Sequence, residues 1–221
     1  MSLEEREFIR RAGESCAVTF TVHAPLVFNP LKDPHADRLE STVEFAQDIG
    51  ANLLNLHLDL SCGAEAFGRA LRPTLKAAQK AGLVLALENS VWTKPEDFNA
   101  FFAWLQQEEP RLAKHAGMCF DLGHANVCSA TQNDYCGFLD RLDENIPIVH
   151  LHLHENFGDR DSHLPLFTGP SRIGVDGILG ILKRLKKRSF DGCAILEQWP
   201  QPPSLLIEAR DQLEILLRAI E

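Results

Sequence analysis

An α/β barrel of repeated strand–helix units is predicted by three observations. Amphipathic helical stretches alternate with short runs too apolar to face water on either side, which indicates a parallel sheet covered on both faces. Six of those runs close on a His, Asp or Glu. Those closing residues follow one another at intervals of 34, 31, 33, 31 and 45 positions, against the roughly 30 residues of one βα unit in a barrel. A barrel gathers its strand ends at one mouth, whereas an open sheet spreads them along a line. No glycine-rich phosphate loop follows any strand, so the dinucleotide-binding open sheet has no support.

The repeat reads as a helix ending at a glycine, then an apolar run, then a metal-ligand type of residue. Gly50 precedes NLLNLH, ending at His57; Gly82 precedes LVLALE, ending at Glu88; Gly117 precedes MCFD, ending at Asp121; Gly192 precedes CAILE, ending at Glu197. Glycine relieves the left-handed strain of a helix C-terminus. CAVTFTVH, ending at His23, and IPIVHLHLH fit without the glycine. Helices are predicted near 3–12, 35–49, 66–81, 95–107, 134–142, 175–188 and 203–220. Pro95 suits a first helical turn, with Glu96 and Asp97 at its positive end. The stretch 175–188 turns Ile178, Leu179, Ile181, Leu182 and Leu185 inward. Lys183, Arg184, Lys186 and Lys187 lie outside as a solvated face, since no aromatic residue interleaves with them.

The chain has 221 residues, 45% apolar and 24% charged, a composition that excludes collagen, coiled coil and bulk disorder. It reads as one domain spanning 1–221. The net charge of −9 disfavours a bulk electrostatic grip on nucleic acid, so the expected partner is a small-molecule substrate. The six cysteines show neither CxxC nor regular spacing and read as reduced thiols, with Cys119 and Cys193 in buried strands. No apolar stretch has the length of a membrane span, and MSLEEREFIRR has no signal-peptide core, so the expected compartment is the cytoplasm.

The strand-end residues are His23, His57, Glu88, Asp121 with His124, the trio His150, His152 and His154, and Glu197; Asp161 and His163 follow the trio. Ionisable groups in such positions are costly to bury unless paired or metal-bound. Alternation puts the trio on one strand face, with His150 deepest and hydrogen-bonded in the core. Spacing alone leaves the choice between His152 and His154 open. Imidazole with carboxylate suits zinc, manganese, iron or cobalt. One metal flanked by two glutamates suits proton transfer beside a carbonyl; several clustered metals suit phosphoester hydrolysis.

At these residues the chain resembles the superfamily of xylose isomerase-like TIM barrels, which includes endonuclease IV and sugar isomerases and epimerases. The resemblance runs from His23 to Glu197, through VHAPLVFNP, NLHLD, LALENSVW, FDLGHAN, HLHEN, DSHLPL and ILEQ. It implies His152 as the ligand of its strand, three positions before Glu155. It implies Glu88, Asp121, His152 and Glu197 as the ligands of a single-metal isomerase, with Glu88 and Glu197 also the acid/base pair. For a three-zinc branch it implies His23, His57 and Glu88 at one ion, Glu88, Asp121, His152 and Glu197 at a second, and His124, Asp161 and His163 at a third. The expected cofactor is therefore a divalent metal, zinc or manganese, as one to three ions. Two departures stand out. The loop after DSHLPL reads FTGPSRIGVDG instead of a G-x-G followed by an acidic residue, and the chain begins inside the helix that follows the family's first strand.

The function expected is a metal-dependent isomerase or epimerase of a small sugar or polyol derivative. The alternatives are a multi-zinc phosphoesterase like endonuclease IV and a catalytically silent relative. At about 31 residues per unit the length gives about seven units, predicting an incomplete barrel that lacks the first strand and has a short seventh near 171–175. The gap between the strand at 16–23 and the last strand would need covering, by the terminal segments or by a second copy in a homo-oligomer.

Overall fold

The computed structural model describes residues 1–32, 36–199 and 202–220. The element order is α1 (Leu3–Cys16), β1 (Thr21–His23), α2 (Ala36–Asp48), β2 (Leu53–His57), α3 (Ala64–Ala81), β3 (Val84–Glu88), α4 (Pro95–Glu108), α5 (Pro110–Ala113), β4 (Ala116–Asp121), α6 (Leu122–Val127), α7 (Tyr135–Asp140), β5 (Ile148–Leu153), a 3-10 turn (Pro170–Arg172), α8 (Asp176–Lys187), β6 (Cys193–Leu196) and α9 (Pro203–Ile220). Strand–helix alternation with parallel pairing is the pattern of a (β/α) barrel. Six strands occur among the described residues, fewer than the eight of a complete barrel, which fits the incomplete barrel expected.

The chain divides into two compact units. The first, Met1–Glu88 with Ala100–Gly117, contains β1, β2 and β3 in chain order, with Leu54 paired to Val22 and to Leu85. Its core packs Leu54, Leu56, Leu71, Leu75 and Leu85 with Phe67 and Phe101, whose rings meet edge to face at 5.6 Å. The second, Asn89–Asn99 with Met118–Glu221, contains most of β4 with β5 and β6. There Phe138 packs against Phe98 and Phe120. The α8 residues Ile178, Ile181, Leu182 and Leu185 are buried, as its periodicity requires.

Gly50 and Gly82 adopt the left-handed conformation, at φ +74° and +73°, so both are helix-ending glycines. The other two serve differently. Gly117 lies inside β4, and a Cβ on Gly192 would sit 2.2 Å from the Val149 carbonyl oxygen, so that glycine permits close backbone approach.

Several elements differ from the sequence reading. Helix α1 continues to Cys16, started by a capping box in which Ser2 Oγ accepts from the Glu5 N–H and Glu5 accepts from the Ser2 N–H. It closes on Ala17 at φ 53°, which confines β1 to Thr21–His23 instead of 16–23. The expected first residue of the second helix, 35, lies outside the described residues. No strand forms at 171–175. Pro170–Arg172 form a 3-10 turn in which the Arg172 and Ile173 N–H groups bond to the Gly169 and Pro170 carbonyls at 3.1 Å, and the Glu155 carboxylate accepts the Ser171 N–H at 2.9 Å, engaging donors that a ladder would need. Strand β6 is not a buried strand. It pairs with β5, no described strand follows it, Ala194 and Ile195 are exposed, and Cys193 is half-buried. All six cysteines are free. No helix among the described residues is long and apolar enough to cross a membrane.

Candidate metal centre

Parallel register sets the strand-end residues level with one another. In the first unit His57 lies opposite Glu88, and His23 lies two residues short of that level, opposite Asn55. Glu88 is buried at 1% exposure. Its Oε2 is 2.9 Å from Nε2 of His23 and its Oε1 is 3.5 Å from Nε2 of His57. Asn55 Nδ2 also donates to Oε2. The donor atoms of His23, His57 and Glu88 all fall within 4.8 Å of one another.

In the second unit Asp121 lies opposite His152. His152 Nδ1 is 2.9 Å from Glu197 Oε2 and 3.8 Å from Asp121 Oδ2. Asp121 caps α6 by accepting the His124 N–H at 2.6 Å, which brings His124 into the same region. A further cluster joins His124, His154, Asp161 and His163 within 4.8 Å. Nε2 of His124 is 3.2 Å, and Nε2 of His163 3.1 Å, from Asp161 Oδ2. His163 sits at φ 46°, a left-handed conformation uncommon for a non-glycine residue, as strained positions at functional sites often are.

Tautomers test whether a metal fits. His23 Nδ1 contacts the Ala24 carbonyl oxygen at 2.7 Å, His124 Nδ1 that of Asn89 at 2.7 Å, and His163 Nδ1 that of Glu197 at 2.9 Å. A carbonyl only accepts, so each Nδ1 carries the proton. In the neutral ring Nε2 then presents an electron pair, and in all three residues it faces a carboxylate. Two acceptors face one another stably only with positive charge between them, a second ring proton or a cation. The Nδ1–H to carbonyl lock is also how metal-binding imidazoles are commonly oriented. Zinc bonds of about 2.0–2.1 Å in a tetrahedron separate ligand atoms by about 3.3 Å, and the separations here bracket that value. Both donor sets fit a divalent metal such as zinc.

Without an ion, protons supply the charge. The hydrogen bond to Asp161 raises His163 to about 9, against the opposing effect of burial. Burial would raise Asp161, but hydrogen bonds from His124 and His163 hold it well below the usual carboxylate range.

Two residues here, Asn55 and Asn89, escaped sequence reasoning as site residues, and a third, His154, was weighed against His152 and set aside on the resemblance. Asn55 braces Glu88. Asn89 accepts the Asp121 N–H at 2.8 Å, donates to the Asp121 carbonyl at 2.9 Å, and orients His124 through its own carbonyl; the Glu-Asn pair in LALEN was its only signal. His154, fully buried, has Nε2 3.1 Å from Asp121 Oδ1. His150, expected deepest of the trio, is buried beside Cys119 and His152.

The family model for the xylose isomerase-like TIM barrel matches residues 1–218. The chain belongs to this family. Among solved structures it is similar to a D-tagatose 3-epimerase-like protein, at 22% identity and TM-score 0.76, over 99% of this chain and 84% of that one. It is also similar to endonuclease IV from Thermus thermophilus, at 23% identity and TM-score 0.68, over 99% and 83% of the two chains. At such identities the likeness is one of fold. An uncharacterized protein of Methanocaldococcus jannaschii is 33% identical over 86 residues, 38% of this chain and 26% of that relative, so the match spans about a quarter of the relative's length. Members of the family include sugar epimerases and endonuclease IV, and most are enzymes.

Proposed function

We propose that this chain is a metal-dependent isomerase or epimerase of a small sugar or polyol derivative, with Glu197 as the group that moves the proton. The observation carrying this reading is the contrast between two carboxylates. The Glu197 side chain is 33% exposed and is held at 2.9 Å by the buried His152, so it can meet a substrate. Glu88 is buried, with its oxygens turned to His23, His57 and Asn55, and suits holding an ion. The acid/base pair implied by the resemblance thus narrows to Glu197.

His23, His57 and Glu88 would hold metal in the first unit; Asp121, His152 and Glu197, with His124, Asp161 and His163, would do so in the second. A bound zinc or manganese would polarise the substrate oxygen and steady the charge that develops beside it. Glu197 takes a proton from the carbon beside the carbonyl, while His152 fixes the direction of Glu197. Delivering that proton to the former carbonyl carbon, as the hydroxyl proton passes between the two oxygens, moves the carbonyl; returning it to the same carbon after the enediolate has turned over inverts that centre.

A second reading, a multi-zinc phosphoesterase, is favoured by the His124–Asp161–His163 cluster, which a one-metal isomerase does not require. About one ion per chain supports the isomerase; two or three zincs support the hydrolase. The decisive variant is Glu197→Gln, assayed by deuterium uptake from D2O into a panel of ketoses and their phosphates. The wild-type protein is expected to label at least one of them, and the variant, compared at equal bound metal because Glu197 is also placed among the ligands, to lose 100-fold or more with the unfolding temperature unchanged. Full activity in the variant would remove Glu197 from this role.

A further inference from the structure

We propose that His154 is a positioning residue that fixes the Asp121 carboxylate, and that it is not itself a metal ligand. The role given to Asp121 rests on the metal-dependent reading above; the geometry of His154 does not.

Nε2 of His154 lies 3.1 Å from Oδ1 and 3.2 Å from Oδ2 of Asp121, with Oδ1 of Asp161 at 3.7 Å. His154 Nδ1 is buried and has no hydrogen-bond partner. This reverses the arrangement in His124 and His163, where a backbone carbonyl holds the proton on Nδ1 and turns Nε2 toward a carboxylate as an electron pair. A proton on His154 Nδ1 would leave a buried donor without an acceptor and press the Nε2 electron pair against both Asp121 oxygens. A proton on Nε2 gives that donor two carboxylate acceptors. Neutral His154 is therefore an Nε2–H donor, and a ring nitrogen that carries a proton binds no metal.

Ring orientation leads to the same assignment. The rings of His154 and His163 stack at 3.9 Å between centroids with their planes 12° apart. A nitrogen electron pair lies in the plane of its ring, so two stacked and nearly parallel rings cannot direct theirs at one ion between them. The close grouping of His154 with His124, Asp161 and His163 is thus not a four-ligand shell. The fold also makes room for the ring: a Cβ on Gly123 would sit 1.9 Å from His154 Cε1. Asp121 is gripped from two sides, by the His124 N–H at 2.6 Å and by His154.

The test uses the full-length chain. Imidazole 15N spectra of the metal-free protein are expected to show His154 as the Nε2–H tautomer; the Nδ1–H tautomer would overturn the proposal. Zinc content and affinity are then compared for the wild type, His154→Gln and His154→Leu. Glutamine keeps an N–H donor near the position of Nε2, so His154→Gln is expected to hold the wild-type number of zincs at near wild-type affinity. His154→Leu is expected to weaken zinc binding by about 10–100-fold. Loss of one zinc in His154→Gln would make His154 a ligand, and wild-type affinity in His154→Leu would make it mere packing; either result defeats the proposal. If the wild-type chain binds no zinc, the metal reading fails and the tautomer alone decides the positioning role.

Discussion

One device recurs in three imidazoles. His23, His124 and His163 each give Nδ1–H to a backbone carbonyl and turn Nε2 toward a carboxylate, buried Glu88 for His23 and Asp161 for the other two. The carbonyls belong to Ala24, Asn89 and Glu197, at or just after strand ends, so the backbone that forms the sheet also fixes the rings. Asn89 does the most with one side chain, since it satisfies both the N–H and the carbonyl of fully buried Asp121. Asn89→Ala would leave those two groups without the side chain that satisfies them. At about 1–3 kcal/mol per unsatisfied buried group, the expected loss is about 2–4 kcal/mol, read from urea unfolding at constant slope. A loss below about 0.5 kcal/mol would show that the bracket is dispensable.

At the scale of elements, parallel register does the work. Once β2 and β3 pair with Leu54 opposite Leu85, His57 must lie opposite Glu88; once β4 and β5 pair, Asp121 must lie opposite His152. That is why the strand-end residues were legible from spacing: a strand's last residue is fixed by the same apolar run that fixes the strand, whereas their grouping into ligand sets came from the resemblance. Seven of the helices were legible from their periodicity; the short α5 and α6 were not, being too brief to show a repeat. What stayed hidden has physical causes. β1 is shorter than its apolar run because α1 continues through Cys16, an extension that a local reading of hydrophobicity does not separate from a strand. The segment 171–175 was assigned to a strand by counting repeat lengths, but its donors go elsewhere: that of Ser171 to Glu155, at a distance no window spans, and those of Arg172 and Ile173 to the carbonyls of a 3-10 turn. Alternation along β5 gives His152 and His154 the same face and says nothing of which nitrogen holds the proton.

Packing between helices supplies a further test. A Cβ on Gly68 in α3 would sit 1.9 Å from Cζ3 of Trp104 in α4, both within the first unit. In an open helix interior Gly→Ala stabilises by roughly 0.5–1 kcal/mol. Here the sign should reverse. Gly68→Ala is expected to cost about 1–3 kcal/mol as the indole is displaced, seen as a lower urea midpoint; a stabilised variant would mean that the ring moves freely.

At the scale of the whole molecule, the family model spanning residues 1–218 and the strand–helix alternation establish the fold, while the chemistry rests on which residues close the strands. Within the first unit His23 and His57 converge on buried Glu88; within the second, His124 and His163 converge on Asp161 and His152 meets Glu197. Opposed electron pairs in both units are the common feature, and a divalent cation is what they suit. The most direct measurement is elemental analysis of the purified chain after reconstitution with zinc or manganese and gel filtration. At least one ion is expected to be retained per chain, and fewer or none when His57 and Glu88 are replaced together with Asp161 and His163. A folded wild-type chain that retains no divalent metal would contradict the metal-dependent reading.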